Sequence, residues 1–384
     1  MIELSAKQDA FLCQINDWLG EARGGAFSAP WKYLAGVAGS GKTTLAKKLS
    51  EDRRVAYCAF TGKAANVLRE KGCVGATTLH KLIYRPEEKV ARAATGESMY
   101  STEFVARDDN PLAEFDVVVL DECSMVDAKM AQDLLSYGVP VLVLGDPFQL
   151  PPVSGEGYFT KREPTWFLDE VHRQALDSGI LRLATDIRTG RGIGDPASYG
   201  PDAVVISLEE ATEHEDELLQ WRDVVLVGTH RMREHFNKRF REVLKFNSAY
   251  PEAGDELVCL QNDHKRGLLN GATWRCELNA REVGHLKLEV LVRSADDPKQ
   301  VLLADVWAHD FLGIEGELQK LPWQRRSERA RFTYGYALTV HKSQGSEWAK
   351  VLVVDESTTF REHAMNWLYT AVTRASKKLV LVRR

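Results

Sequence analysis

One eight-residue stretch near the N-terminus constrains the fold of this chain more than any other feature. Residues 36–43 read Gly-Val-Ala-Gly-Ser-Gly-Lys-Thr, which fits the phosphate-loop pattern G-x-x-x-x-G-K-[ST]. The run before it has strand character, and the run after it has the apolar spacing of a helix. This order points backbone N–H groups and a helix N-terminus at an anion. The chain is therefore expected to bind a nucleoside triphosphate through Gly36, Gly39, Ser40, Gly41, Lys42, Thr43 and Thr44.

Two acids end a later apolar strand and complete the expected hydrolytic site. Residues 116–120 are apolar except for Asp116, and Asp121 and Glu122 follow them. Behind a phosphate loop, Asp121 would hold Mg²⁺ together with the Thr43 hydroxyl, and Glu122 would orient or deprotonate the attacking water. Lys42 would reach the β- and γ-phosphates. The expected cofactors are ATP and Mg²⁺. Taken alone, a pair of acids at the end of a strand is as often a solvated surface feature as a catalytic pair.

Composition describes an ordinary globular protein and excludes little. The 384 residues are 44% hydrophobic and 27% charged, and they contain no apolar run of about 18 residues that would span a membrane. The N-terminus lacks the basic and then apolar segments of a signal peptide. The six cysteines form no C-x-x-C pair, which favours reduced core thiols in a cytoplasmic protein and argues against zinc. A net charge of −5 does not indicate nucleic-acid binding, although it leaves room for a local basic channel.

The pattern of strands and helices predicts an α/β protein of two domains. Apolar strands alternate with helices in both halves, which indicates parallel sheets covered on both faces. Such sheets bind ligands at the carboxyl ends of their strands, where Gly36, Thr61, Asp121 and Asp146 fall. We expect a first domain over 1–165 and a second over 166–384. In the second half we predict helices at 177–188, 231–244 and 361–373, and strands at 203–207, 223–228, 332–339, 349–355 and 378–382.

Two segments interrupt this alternation. Residues 84–113 are charged and weakly periodic, which is typical of a surface excursion or a small hairpin. Residues 250–325 hold short alternating strands separated by turn signals such as Asn270-Gly271. This second segment is expected to form a small antiparallel β unit inserted into the second domain.

Three further residues could act on the triphosphate. Gln149 follows the strand at 140–146, where it could sense the γ-phosphate. Arg173 and Arg374 fall in the second domain. If either closes onto the nucleotide, it would stabilise charge on the transferred phosphoryl group, and the site would span a domain interface. From spacing alone, the stretch around Gln149 could equally be a Pro-rich turn, and Arg173 and Arg374 could equally be surface residues.

The motifs together resemble those of superfamily 1 DNA helicases. The resemblance runs from about residue 4 to the C-terminus and is greatest to the RecD-like branch, and within it to compact phage enzymes of the Dda type. It implies two RecA-like domains, an SH3-like β-barrel as the inserted unit, and ATP-driven movement on single-stranded DNA in the 5′→3′ direction. The motifs are, in order, GVAGSGKT, FTGKAA, TTLHKL, VVVLDECSMV, LVLGDPFQLPPV, LDEVHRQ, YALTVHKSQGSEW and NWLYTAVTRA.

The resemblance also assigns roles to residues at matching positions. Gln8 corresponds to a glutamine that reads the adenine edge, and Gln149 to the γ-phosphate sensor. Arg173 and Arg374 correspond to paired arginine fingers. Residues implied to contact DNA are Thr61, Lys63 and His80 in the first domain and Thr339, His341 and Lys342 in the second. Phe148 or Trp348 could stack a base or belong to the core, and Gln344, Gly345 and Glu347 would link nucleotide state to the strand.

The expected function is therefore ATP-dependent unwinding of forked DNA by a monomer, with single-strand-binding or replication proteins as further partners. The location would be the cytoplasm, or the host cytoplasm for a phage protein. Two alternatives remain: a translocase that displaces proteins but unwinds little, and a nucleotide-switched loader. The presence of Glu122, Arg173 and Arg374 argues against a loader. The segment 84–113 lies where related enzymes place a strand-separating pin, and an ordinary surface loop is the alternative. The inserted unit lacks the second glycine of N-G-x-x-G, which leaves its strand-clamping role open.

Overall fold

The computed structural model describes residues 4–23, 29–92, 98–151, 157–169, 178–194, 199–261, 263, 266–268, 270–295, 297–321 and 323–383. The strands are β1 (Trp31–Gly36), β2 (Val55–Ala59), β3 (Thr77–Thr78), β4 (Tyr84–Arg92), β5 (Ser98–Ala106), β6 (Val117–Asp121), β7 (Val141–Gly145), β8 (Trp166–Leu168), β9 (Ala203–Ser207), β10 (Val224–Val227), β11 (Glu256–Cys259), β12 (Thr273–Cys276), β13 (Arg281–Gly284), β14 (Lys287–Ser294), β15 (Val301–Trp307), β16 (Phe332–Tyr334), β17 (Ala337–Thr339), β18 (Trp348–Val354) and β19 (Ala375–Arg383).

Helices connect most of these strands. They are α1 (Ala6–Arg23), α2 (Lys42–Lys48), α3 (Gly62–Glu70), α4 (Leu79–Ile83), α5 (Ala128–Leu135), α6 (Gly179–Arg188), α7 (Leu208–Glu213), α8 (Glu215–Trp221), α9 (His230–Val243), α10 (His309–Leu312), α11 (Glu315–Gln319), α12 (Trp323–Ser327), α13 (Val340–Ser343) and α14 (Ala364–Val372). Short 3₁₀ turns follow α2, β6 and β18 at Leu49–Glu51, Cys123–Met125 and Ser357–His363.

The first parallel sheet carries the phosphate loop. Its strands run in the order β3-β2-β6-β7-β1-β8, and every neighbouring pair is parallel. Successive side chains point to opposite faces, so Leu34 packs with α1, α2 and α3 while Tyr33 packs with α4 and α5. Because both faces are covered, β7 is buried along its whole length. The carboxyl ends of these strands therefore meet at one edge of the sheet.

A long hairpin leaves the first domain between α4 and β6. Its strands β4 and β5 pair from Tyr84 with Ala106 out to Arg92 with Ser98. At its base the Tyr137 hydroxyl contacts the carbonyl oxygens of Ile83 and Arg107 at 3.0 and 2.8 Å. Of the two alternatives for 84–113, the structure shows the hairpin, and β5 lies against α12 of the second domain.

The second parallel sheet has the order β17-β10-β18-β19-β9. Leu183 of α6 and Trp367 of α14 pack on one face, and Phe240 of α9 packs on the other. Thr229 begins α9 by accepting a hydrogen bond from the Met232 N–H at 3.2 Å. Glu356 accepts hydrogen bonds from the backbone N–H groups of Gly228 and Thr229, which holds this helix start against the sheet.

The inserted unit is an antiparallel sheet in the order β13-β14-β12-β11-β16, with β15 on the other side of β14. Buried and partly exposed residues alternate along β14, as in a sheet with one face on a core. A bridge between Val306 and Ala330 also joins β15 to the stretch before β16. The two ends of the sheet are thereby brought together.

Three predicted boundaries are wrong. The first domain does not end at 165, because β8 pairs with β1 at Leu34–Trp166. The predicted strand 332–339 is two strands, since β16 pairs with β11 of the inserted unit whereas β17 pairs with β10 of the parallel sheet. The chain changes partners at Gly335-Tyr336, where Gly335 donates to Glu256 and Tyr336 accepts from Val225. The inserted unit therefore extends past 325 to Tyr334. Small shifts affect other ends, such as those of the helix predicted at 361–373, which spans Ala364–Val372.

Candidate nucleotide cleft and strand-end surface

The phosphate loop wraps around the start of α2. Gly41, the residue before the helix, has φ +80°, a left-handed conformation that favours glycine. Lys42 Nζ donates hydrogen bonds to the carbonyl oxygens of Gly36 and Val37 at 2.7 and 3.0 Å. The ammonium group thus lies inside its own loop, where the phosphates of a bound nucleotide would replace these carbonyls as partners.

Thr43 and Asp121 bring together the expected Mg²⁺ ligands. The Thr43 Oγ1 lies 3.4 Å from Asp121 Oδ2, and the other Asp121 oxygen accepts from the Glu122 N–H at 2.9 Å. One hydroxyl and one carboxylate suit Mg²⁺, which keeps several waters and takes its remaining ligands from phosphates. The donor set therefore fits the ion. Among the described residues, no group of three or more His, Cys, Asp or Glu side chains could hold a metal.

Glu122 occupies a strained position in the cleft. Its backbone is left-handed, with φ 53° and ψ 48°, which costs a non-glycine residue free energy and is often found at functional sites. Burial raises the pKa of its carboxyl group, and the positive charge of Arg374 opposes this rise. A carboxylate with a raised pKa next to a bound phosphate is suited to accept a proton from water.

Arg374 reaches the cleft from the second domain. Only 6% of the residue is exposed. Its guanidinium donates to the Thr370 carbonyl at 3.1 Å, to the Ser346 carbonyl at 3.2 Å and to Thr373 Oγ1 at 3.3 Å. These bonds orient a charge that faces Glu122 across the gap. The second predicted finger, Arg173, lies outside the described residues.

The two domains enclose a cleft of about 550 Å³. One wall consists of Gly39, Ser40, Gly41, Lys42, Thr43 and Thr44 with both acids, and the other includes Gly345, Ser346, Glu347 and Arg374. Gln149 also lines the cleft, and its buried Oε1 has no hydrogen-bond partner in the described part of the chain. An unpartnered buried amide oxygen is costly without a ligand or water. This supports a role for Gln149 next to the phosphates.

Gln8 lies behind the loop and does not line the cleft. Its Nε2 donates to the Ser40 carbonyl at 3.0 Å, and its Oε1 accepts from the Ser5 N–H at 2.9 Å. The side chain is almost completely buried. In this arrangement Gln8 supports the phosphate loop, and its predicted contact with adenine stays a prediction.

One face of α14 contacts the first domain, and sequence reasoning missed it. The Thr370 Oγ1 accepts from the Leu150 N–H at 2.7 Å, while Gln344 Nε2 donates to the Leu150 carbonyl at 2.5 Å. Asn366 Nδ2 donates to the Phe148 carbonyl at 3.0 Å. Asn366, Tyr369, Thr370 and Thr373 recur at the i, i+3, i+4, i+7 spacing of one helical face, which is the signal that could have identified them.

Phe148 packs between aromatic side chains, which favours the core alternative, and its stacking on a base stays a prediction. The centroid of its ring lies 6.2 Å from the ring centroids of both Phe167 and Tyr369. The Arg188 guanidinium lies 5.1 Å from the Phe148 centroid. The side chain thus fills the interface between the domains, because it packs on β8 of the first domain and on α6 and α14 of the second.

The residues predicted to contact DNA lie at the carboxyl ends of strands in both sheets. Thr61 follows β2 and caps α3 by accepting from the Ala64 N–H at 3.2 Å. His80 packs edge-on to Phe60 at 6.0 Å. In the second domain Thr339 is buried, while Lys342 is exposed. Burial lowers the pKa of the half-buried His341 imidazole, and the charge of His230 adds to this.

Lys63 is turned away from this surface toward the other domain. It is 8% exposed, and its Nζ lies 4.1 Å from the ring centroid of Trp348. The coupling residues lie nearby. Gly345 has φ +71°, and a Cβ there would approach Ala64 Cβ to 2.9 Å and Thr61 Oγ1 to 3.1 Å. The loop at 344–348 therefore touches both the nucleotide cleft and the first turn of α3.

Two family descriptions match this chain. Residues 26–199 match an AAA domain, and residues 334–382 match a UvrD-like helicase C-terminal domain. The matches cover the phosphate loop and its acids in the first case and α13, α14 and Arg374 in the second. No described helix has both the length and the apolar content needed to cross a bilayer.

Several known proteins align with most of this chain. The ATP-dependent RecD2 DNA helicase of Deinococcus radiodurans is 26% identical over 371 residues, which is 89% of this chain and 45% of that protein. The RecBCD enzyme subunit RecD of Mycolicibacterium smegmatis is 29% identical over 93% of this chain and 69% of its own length. The crystal structure of Bacteroides Pif1 bound to single-stranded DNA has a TM-score of 0.56 at 17% identity and covers 99% of this chain and 92% of that one. This chain thus spans about half of the first relative.

Proposed function

We propose that this chain is an ATP-driven motor of the RecD-like branch of superfamily 1 helicases, which moves along single-stranded DNA and unwinds duplexes. The matches to a UvrD-like helicase C-terminal domain and to the RecD2 and RecD relatives support this proposal. The observation that carries the proposal is the two-domain cleft. Lys42, Asp121 and Glu122 line one wall and Arg374 lines the other. A site divided in this way tightens when the domains close on a nucleotide and loosens after hydrolysis.

The chemistry of the cleft suits hydrolysis of ATP. Lys42 exchanges its loop carbonyls for the β- and γ-phosphates, and Glu122 accepts the proton of the water that attacks the γ-phosphorus. Arg374 and Arg173 stabilise the charge that develops on the phosphoryl oxygens. Thr43 and Asp121 would hold Mg²⁺, which would neutralise phosphate charge when bound. Gln149 reports whether the γ-phosphate is present, because its amide adjoins the contact of Leu150 with α14.

DNA crosses the carboxyl ends of both sheets in this proposal. Thr61 and His80 contact it on the first domain, and Thr339, His341 and Lys342 contact it on the second. Such contacts go to phosphates, so binding tolerates any sequence and weakens as salt rises. The Pif1 structure of similar fold holds single-stranded DNA, which supports single-stranded DNA as the ligand proposed here.

Movement follows from the contacts of the loop at 344–347. Gln344 and Gly345 touch the first domain, and Glu347 lines the cleft, so closing on ATP shifts one strand-binding surface relative to the other. Each cycle advances a monomer by about one nucleotide in the 5′→3′ direction. We further propose that the inserted unit is a small SH3-like barrel, which the bridge between Val306 and Ala330 supports. The hairpin β4–β5 would act as the strand-separating pin.

Two measurements test this function. Single-stranded DNA should stimulate ATP hydrolysis strongly, and Lys42→Ala should abolish hydrolysis. Forks with only a 5′ tail should be unwound, whereas forks with only a 3′ tail should not. ATPase activity that is indifferent to DNA would overturn the motor. Displacement of a bound protein from a 5′-tailed strand without unwinding would instead favour the translocase.

A further inference from the structure

The contact between Lys63 and Trp348 is a cross-domain interaction that uses a residue expected to bind DNA. Lys63 lies in the first turn of α3, and Trp348 is the first residue of β18. An ammonium group within about 6 Å of an aromatic centroid is attracted to the ring face, and tryptophan gives the strongest attraction. Here Nζ lies 4.1 Å from the centroid, and Lys63 is shielded from water. The Lys63 ammonium therefore interacts with Trp348 and has little contact with solvent.

Trp348 is also tied to the nucleotide cleft. Its backbone N–H donates to the Arg374 carbonyl at 2.9 Å, and its backbone carbonyl accepts from Ser376 Oγ at 3.1 Å. The Arg374 side chain lines the cleft and holds the Ser346 carbonyl. A shift of Arg374 toward a phosphate therefore moves the backbone of Trp348. Arg374 and Trp348 thus join the nucleotide site to the Lys63 ammonium.

The same loop leaves little room for independent movement. Gly345 lies so close to Thr61 and Ala64 that a single methyl group would not fit without displacement. Thr61 caps the helix that carries Lys63. The loop at 344–348 and the first turn of α3 therefore hold each other in register until the domains move.

We propose that Trp348 is a positioning residue that withholds Lys63 from DNA in this arrangement and releases it when the domains close on ATP. The proposal rests on the proposed function, since it requires a DNA phosphate near the first turn of α3. Trp348 and the phosphate compete for one ammonium group. Affinity for the strand then depends on nucleotide state through a single charge, and Trp348 itself does not stack a base.

The first test replaces the ring. Trp348→Leu removes the π face, while Trp348→Phe keeps a weaker one. Binding of a fluorescein-labelled oligothymidylate is measured by anisotropy without nucleotide over a range of salt concentrations. Trp348→Leu should bind about threefold to tenfold more tightly than the natural chain, with Trp348→Phe in between. The slope of log K against log salt should steepen by about 0.7, the value for one further phosphate neutralised on a single strand. Weaker binding by Trp348→Leu would mean that the ring stacks a base, and it would overturn the proposal.

The second test removes the charge. In a Lys63→Gln background, Trp348→Leu should change neither affinity nor slope. A gain in affinity that persists there would overturn the proposal, because the ring would then act through another group. Thermal unfolding of each variant shows whether it is folded.

A third comparison needs no change at Trp348. Addition of a non-hydrolysable ATP analogue should steepen the salt slope of the natural chain by about 0.7, and Lys63→Gln should lose this increment. Equal slopes with and without the analogue would overturn the inference about Trp348. If single-stranded DNA still stimulated ATP hydrolysis, the proposed motor function would stand. Absence of any binding to single-stranded DNA would overturn both.

Discussion

The Tyr369 hydroxyl donates a hydrogen bond to Asp146 Oδ2 at 2.7 Å, which joins the second domain to the strand end beside the phosphate loop. The same oxygen accepts from the Ala38 N–H, within the loop, at 2.9 Å. Burial raises the pKa of this phenol well above its usual value, so the group stays protonated and keeps donating. One atom therefore connects the loop, Asp146 and α14, and a change at any of the three reaches the others.

Tyr369→Phe removes this atom and leaves Asp146 Oδ2 and the Ala38 N–H without their buried partner, while Asp146 Oδ1 still accepts from the Phe148 N–H. We expect a loss of about 1–3 kcal/mol in the free energy of unfolding, because unsatisfied buried groups lose their solvation. DNA-stimulated hydrolysis should fall as well, since the loop loses its tie to α14. Chemical denaturation and steady-state ATPase assays measure the two effects. Tyr158→Phe is the matched control: Tyr158 packs on Trp31 at the opposite end of β1, so neither quantity should change much.

Arg374→Lys keeps the positive charge and loses the planar guanidinium. We expect kcat for DNA-stimulated hydrolysis to fall by about 10³-fold or more, because an arginine finger contributes about 10³–10⁵ in rate and lysine does not reproduce its geometry. Binding of a fluorescent ATP analogue should weaken far less. Arg383→Lys, at the C-terminal end of β19, the strand that begins directly after Arg374, should leave the rate unchanged. A fall in kcat below tenfold for Arg374→Lys would contradict the assignment.

The pH dependence of hydrolysis should report the ionisation of Glu122. In the proposed mechanism the Glu122 carboxylate is the active base, and burial raises its pKa. Activity is therefore present above this pKa and is lost as pH falls through it, at a higher pH than for an ordinary glutamate. Glu122→Gln should lower kcat by about 10²–10⁴-fold and remove this acid limb from the residual activity. An acid limb unchanged in Glu122→Gln would assign the titration to another group.

Gly345→Ala should uncouple DNA binding from hydrolysis. The new methyl group would meet Ala64 and Thr61, and the backbone has positive φ, so the loop must shift away from α3. We expect the stimulation of ATPase activity by single-stranded DNA to drop by about tenfold or more, measured as the ratio of rates with and without DNA. Gly313→Ala provides the control, because Gly313 has φ +70° and an added methyl group there would have no neighbour within 4 Å. Similar losses in both variants would point to backbone strain alone.

Local patterns account for the parts of the fold that were predicted correctly and for where the candidate site residues lie in it. The phosphate loop, the acids after β6 and the start of α3 at Thr61 are set by neighbouring residues, because loop, cap and strand periodicity act over a few positions. Arg374 was identified through a motif resemblance, whereas its bonds to Thr370 and Ser346 needed the folded structure. The predicted strand 332–339 failed for the opposite reason: its apolar run is continuous in sequence, yet its two halves pair with strands of different sheets.

By itself, the sequence determined the elements and the chemistry of each strand end, since periodicity and residue type act locally. Only the tertiary structure decided which strand ends face one another across the cleft. It turned Lys63 toward Trp348, placed Phe148 between the domains and set Gln8 behind the phosphate loop. These outcomes depend on packing between residues far apart in the chain, and the short-range patterns of a single chain carry no record of such contacts.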